Sequence, residues 1–169
     1  MSNRKITVNG NPMSLVGEEL TVGSKAPDFT ALTKDLKPFG LKDMEGKHKL
    51  ISIMTSVDTG VCELQGIRFN DEAKKLKNTV TVTITMDLPF ALGRYCANKD
   101  IDTAITLSDH KDASFGVNYG FLIKELRLLN RGTVIIDKDN VVQYVEHVEE
   151  NSNHPDYDKA LEIIKSLDS

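Results

Sequence analysis

Leu50-Ile51-Ser52-Ile53-Met54-Thr55-Ser56-Val57-Asp58-Thr59-Gly60-Val61-Cys62-Glu63 passes from an apolar run to a helical one, and its reading decides the fold. An apolar stretch led in by Gly46-Lys47-His48-Lys49 and closed by turn residues suits a strand, Leu50 to Thr55, in the middle of a sheet. From Glu63 to Lys77, Gly66, Phe69, Ala73 and Leu76 recur at helical intervals on the face that carries Cys62. A thiol therefore stands in the first helical turn, where unpaired amide N–H groups and the positive end of the helix dipole favour a thiolate. Its place at the core-facing edge predicts a shielded sulfur. Leu64 and Ile67 fall on another stripe, which predicts packing against a loop or a second subunit.

Working outward, Val80 to Met86 alternates Val and Ile with Thr and reads as a strand. Asp87 is placed to cap a following helix whose first turn holds Pro89, whose apolar side is Leu88, Leu92 and Tyr95, and whose late turn holds Cys96. Ile105 to Leu107 is a short strand, and Phe115 to Leu129, with Gly116 and Gly120, a loop or broken helix. Asn9-Gly10-Asn11 between short apolar alternations predicts an N-terminal hairpin over Ile6 to Leu15. Thr133 to Asp137 and Val141 to Val145 form a second hairpin turned through Lys138-Asp139-Asn140, and Pro155 to Leu167 is an amphipathic terminal helix. This order of elements predicts an α/β, thioredoxin-like fold, a central mixed sheet flanked by helices with an N-terminal β-hairpin. With no composition break or Gly/Ser/Pro linker, residues 1–169 are expected to form a single domain.

Composition excludes several classes of function. The net charge of −4, with Lys and Glu interspersed, argues against a surface that tracks nucleic-acid phosphates. No apolar run approaches the roughly 20 residues that span a bilayer, and Met1 to Val8 has no export-type apolar region, so a soluble, cytoplasmic protein is expected. His48, His110, His147 and His154 show no ligand spacing with each other or with the cysteines; no metal site is expected, and each histidine is expected at the surface. No Gly-rich phosphate loop is present, and no cofactor is expected.

Chemistry is left to the thiols. Two cysteines, Cys62 and Cys96, suit either a cytosolic redox pair or two inert buried thiols. In Thr59-x-x-Cys62 a hydroxyl takes the place of the first sulfur of a redox Cys-x-x-Cys. Thr59 could hydrogen-bond a thiolate or an incoming peroxide oxygen, or it could simply cap the helix. Attack of sulfur on an O–O bond leaves a sulfenic acid, and Cys96 is the one other thiol available to condense with it; both sit on helices, so pairing requires local unwinding. Arg131, directly before the strand Thr133 to Ile136, could lean over such a site or form a surface ion pair.

Ser56-Val57-Asp58-Thr59-Gly60-Val61-Cys62, Asp87-Leu88-Pro89-Phe90-Ala91, Arg94-Tyr95-Cys96 and Ile105-Thr106-Leu107-Ser108 together resemble the bacterial thiol peroxidases, atypical two-cysteine peroxiredoxins. The similarity continues through Leu128 to Arg131 and Val134 to Asp137 to Pro155-Asp156-Tyr157. The resemblance implies a thioredoxin-like homodimer that reduces hydroperoxides, with Cys62 as peroxidatic and Cys96 as resolving thiol and with thioredoxin reducing the disulfide. It also implies that Thr59 and Arg131 orient the peroxide and activate Cys62, and that Leu88, Pro89 and Phe90 form an apolar loop suited to alkyl hydroperoxides. Two departures stand out. Thr55 occupies the place of the family's proline, where a polar side chain could admit water, and Gly66-Ile67 replaces the usual Thr-Arg or Val-Arg, removing a charge that braces the pocket. These departures motivate an alternative, a weakly active or non-catalytic relative that senses peroxide or relays disulfides.

Overall fold

The computed structural model describes residues 4–168. In chain order the elements are β1 (Lys5–Val8), β2 (Asn11–Ser14), β3 (Thr30–Thr33), β4 (Pro38–Gly40), β5 (His48–Ile53), α1 (Gly60–Ala73), β6 (Thr79–Thr85), α2 (Pro89–Lys99) and β7 (Ile105–Ser108). They continue with α3 (Ser114–Asn118), β8 (Leu122–Ile123), β9 (Leu128–Leu129), β10 (Gly132–Ile136), β11 (Val142–His147) and α4 (Tyr157–Asp168).

A seven-stranded sheet runs in the order β11-β10-β5-β6-β7-β3-β4. Strands β5, β6 and β7 are parallel, as helical crossovers require, while β10 runs antiparallel to both β5 and β11, and β3 antiparallel to both β7 and β4. The mixed sheet flanked by helices is the one the element order predicts. The period-2 alternation of β5 divides the core. Ile51 and Ile53 join Val82, Ile84, Val134 and the aromatic group Phe29, Phe115, Tyr119 and Phe121 on one face. Leu50 meets Phe69 of α1 and Ala160, Leu161 and Ile164 of α4 on the other. The N-terminal hairpin forms as expected, because Asn9 (φ 51°) and Gly10 (φ 81°) supply the two left-handed residues that a tight two-residue turn needs.

Several boundaries differ from the sequence reading. Helix α1 begins at Gly60 and ends at Ala73, leaving Leu76 in the following turn, where it still packs against the α4 side. The stretch from Phe115 to Leu129 holds most of the short α3, which begins at Ser114, and the β8–β9 pair. Asp87 does not cap α2, whose N-cap is Leu88. Its carboxylate instead accepts from the Ser56 hydroxyl (2.9 Å) and the Val57 amide (2.8 Å), so an acid of capping type is captured by the loop that precedes α1.

His147 is also misplaced by the sequence reading: it is largely buried, stacked on Phe121 with ring centroids 4.0 Å apart. Arg4 Nη2 donates to its Nε2 at 2.9 Å, and a guanidinium only donates, so Nε2 is the acceptor nitrogen. Burial, then the Arg4 charge, push its pKa down to about 3. The unfolded chain binds this proton near pH 6.5 and the folded chain does not, so stability falls as pH drops below that value. Acidification from pH 7 to pH 5 is expected to cost about 2 kcal/mol at this residue, a loss that H147Q should escape. Urea unfolding of both proteins at the two pH values measures the difference. Asp109, raised by burial to about 6, shifts stability in the opposite direction but contributes equally to both proteins.

Candidate active site

The strand-to-helix handover places Cys62 as the third residue of α1, at zero solvent exposure. The side chain of Thr59, the backbone N-cap, makes no capping bond; it is exposed, and its hydroxyl donates to the Ser56 carbonyl at 3.1 Å. Thr59 is thus the N-cap by position but not through its side chain, and its hydroxyl makes no bond to Cys62 in this conformation. It tightens the loop ahead of the helix and leaves the first-turn amides uncapped by any side chain.

Arg131, just ahead of β10, is 2% exposed rather than paired at the surface. Its Nη1 donates to Cys62 Sγ at 2.7 Å and to Gln65 Oε1 at 3.0 Å, and its Nε donates to the Asn151 carbonyl at 2.7 Å. The guanidinium therefore sets a fixed positive charge and a hydrogen-bond donor directly against the buried sulfur. Gln65 lies one helical turn beyond Cys62 and is held by its own amide, which donates to Ser52 Oγ (2.7 Å) and the Ile53 carbonyl (3.2 Å). Among the described residues Nη2 has no hydrogen-bond partner, so one donor of the fork remains for a substrate oxygen beside the sulfur.

Cys96, near the end of α2, belongs to the same apolar cluster as Cys62, with Met54, Val57, Leu92, Tyr95, Ile101 and Ala104. Both thiols are free and buried. Cys96 Sγ turns to Thr106 Oγ1 (3.2 Å) on β7, and the residue lines a cleft of about 520 Å³ between α2 and β7. The two sulfurs thus have different partners on different elements. Lys99 and Glu63 bridge the two cysteine helices at 2.6 Å, and the Tyr95 hydroxyl donates to the Glu63 carbonyl at 3.3 Å.

This packing explains Gly66. The Tyr95 hydroxyl occupies the space that a Cβ on residue 66 would need, so glycine lets α2 approach α1 closely. Ile67 packs partly buried against the cysteine cluster, and the neighbouring cation, Arg68, is committed to Asp158 (3.0 Å) and the Tyr157 ring. Leu64 is 57% exposed. Thr55 does not open the site to water: it is buried, and its hydroxyl is bonded to Asn151.

Sequence reasoning brought Cys62, Cys96 and Arg131 forward, and the fold gathers them around one cluster and one hydrogen-bond network. It missed Gln65, Asn130 and Asn151. Gln65 was findable, since it shares the helical face of Cys62; the two asparagines come from distant segments and carry no local signal. No group of three or more His, Cys, Asp or Glu side chains suited to a metal converges among the described residues.

The Redoxin family model matches residues 21–161. The chain is 52% identical over 161 residues to a thiol peroxidase of Halalkalibacterium halodurans, a match spanning 95% of this chain and 97% of that protein. It is 50% identical over 163 residues to a thiol peroxidase of Bacillus subtilis, spanning 96% and 98%. The crystal structure of a peroxiredoxin-like protein from Aquifex aeolicus superposes with a TM-score of 0.91 at 34% identity, covering 97% of both chains.

Proposed function

Because the chain belongs to the Redoxin family and is closely similar to thiol peroxidases, we propose that it reduces hydroperoxides at Cys62 and returns to the reduced state through Cys96. It is a thiol-dependent peroxidase. The observation that carries the assignment of the site is the 2.7 Å contact from Arg131 Nη1 to Cys62 Sγ.

In the first step the Cys62 thiolate attacks the terminal peroxide oxygen. The O–O bond breaks, an S–O bond forms, and the leaving alkoxide takes a proton to depart as an alcohol. Arg131 places its positive charge against the reacting sulfur and, through its open Nη2, offers a donor to the peroxide. In the second step Cys96 attacks the sulfenic sulfur, forming a disulfide and releasing water. The first turn of α1 and the last turn of α2 unwind for this, since Cys62 faces Arg131 and Cys96 faces Thr106. In the third step thioredoxin, whose two thiols supply the electrons, reduces the disulfide and leaves oxidised. Residues 1–169 act as a single domain and as a homodimer in the cytoplasm, without cofactor. No described helix is long and apolar enough to cross a membrane.

Exposed Leu88 and Phe90 at the start of α2 support a preference for alkyl hydroperoxides over hydrogen peroxide. The sensor or disulfide-relay alternative drew on Thr55 and Ile67, and the partners of both side chains weaken it. The test is peroxide-dependent NADPH consumption through thioredoxin reductase and thioredoxin, comparing cumene hydroperoxide with hydrogen peroxide. The wild type is expected to turn over continuously, faster with the alkyl substrate, while C96S should consume a single equivalent and stop. Unimpaired cycling of C96S would refute the resolving role, and a single equivalent from the wild type would favour the sensor.

A further inference from the structure

Behind the guanidinium lies a closed set of buried polar groups that touches neither thiol. Asn151, in the loop after β11, is 5% exposed, and Asn130, next to Arg131, is 0% exposed. The Asn151 amide nitrogen donates to Thr55 Oγ1 (2.8 Å) and to Asn130 Oδ1 (3.0 Å), and its Oδ1 accepts from the Thr55 hydroxyl (3.1 Å). Asn130 Nδ2 donates to the Val148 carbonyl (3.2 Å), and the Val148 amide donates to the Arg131 carbonyl (2.9 Å). The backbone amide of Asn151 donates to the Thr7 carbonyl of β1 at 2.8 Å. Every polar atom of the Asn151 side chain is therefore engaged, and the residue is tied at three points: the segment that leads into α1, the residue before Arg131, and the N-terminal hairpin.

We propose that Asn151 is a positioning residue for the peroxidase reaction, fixed by Thr55 and Asn130 so that its carbonyl holds Arg131 Nε and aims the guanidinium at Cys62. The proposal rests on Cys62 being the peroxide-reacting thiol. The reason for such a device is conformational entropy. A guanidinium on a long, flexible stem has ample rotamer freedom, and a charge-assisted bond at Nε fixes the plane of the fork while leaving its terminal nitrogens for sulfur and substrate. Gln65 holds one side of that fork and the Asn151 carbonyl holds the other. A carbonyl in a loop after the edge strand is a poor anchor unless the loop is itself held, and the Asn151 side chain supplies that hold. Thr55 and Asn151 thus form a buried polar pair that connects the approach to Cys62 with the anchor of Arg131. A proline at position 55 could not donate this bond.

The test is the second-order rate of Cys62 oxidation by peroxide, followed by mass spectrometry of the Cys62 peptide at a temperature well below unfolding. The melting temperature of each variant is recorded as well. T55V removes the hydroxyl at nearly constant volume and should slow oxidation about tenfold, T55S should restore it, and N151A should resemble T55V. The double variant T55V/N151A should be little slower than N151A alone, because N151A already cuts the link to Thr55 that T55V removes. A T55V that melts earlier but reacts at the wild-type rate would overturn the proposal, since a purely structural pair would act in that way; so would a T55S as slow as T55V. If wild-type Cys62 itself reacts no faster than free cysteine, the peroxidase reading fails together with this one, and that outcome is separate because it needs no variant.

Discussion

Replacing Cys62 by serine is expected to remove peroxide turnover entirely, a loss on the order of 10⁴-fold or more, while leaving the fold intact. A serine hydroxyl beside Arg131 stays protonated near neutral pH and is a poor nucleophile toward an O–O bond, whatever its geometry. Oxygen is only slightly smaller than sulfur, so even at this fully buried position the cavity is small and the variant should melt close to the wild type. The measurement is coupled NADPH consumption beside a thermal melt. Residual turnover in C62S would require a second peroxide-reacting group, and Cys96 is the only other thiol in the chain.

The second large effect is at Arg131. R131K is expected to lower the rate of Cys62 oxidation by about 10²-fold although the charge is kept. One ammonium cannot reach the positions that Nη1 and Nε occupy toward Cys62 Sγ, Gln65 Oε1 and the Asn151 carbonyl. R131M should lose more, because the Cys62 sulfur then loses the positive charge and the donor that Arg131 sets against it. It also strands two buried acceptors, each at a cost of about 1–3 kcal/mol. For a chain of this length that lowers the melting temperature by about 2–4 °C per kcal/mol, so melts and stopped-flow oxidation rates together separate lost chemistry from lost fold. An R131K that oxidises at the wild-type rate would show that only the net positive charge matters.

What could be read from the sequence followed the range of the signal. Cys62 was legible because its chemistry depends on its own helix turn, and the hairpins were legible because Asn9-Gly10 and Lys138-Asp139-Asn140 are local turn chemistry. Arg131 was legible only as a residue at a strand edge; its approach to Cys62 depends on β10 pairing with β5, which no periodicity near Arg131 records. The Thr55–Asn151 pair spans 96 residues, and each partner on its own looks like an ordinary loop residue. Asp87 and His147 were misread for one common reason. Residue type predicts a cap or a surface position when neighbours in the chain decide, but here the Ser56–Val57 loop captured the acid and Phe121 covered the imidazole. Gly66 and Ile67 looked like losses relative to the family pattern until Tyr95 and the cysteine cluster showed what they accommodate.

The most direct measurement oxidises the reduced protein with one equivalent of cumene hydroperoxide, blocks remaining thiols, and maps the peptides by mass spectrometry without reduction. The expected result is an intramolecular Cys62–Cys96 disulfide, with both thiols lost together and one equivalent of alcohol formed. A Cys62 that stops at sulfenic or sulfinic acid while Cys96 remains free, or a disulfide that joins two chains, would contradict the proposed cycle.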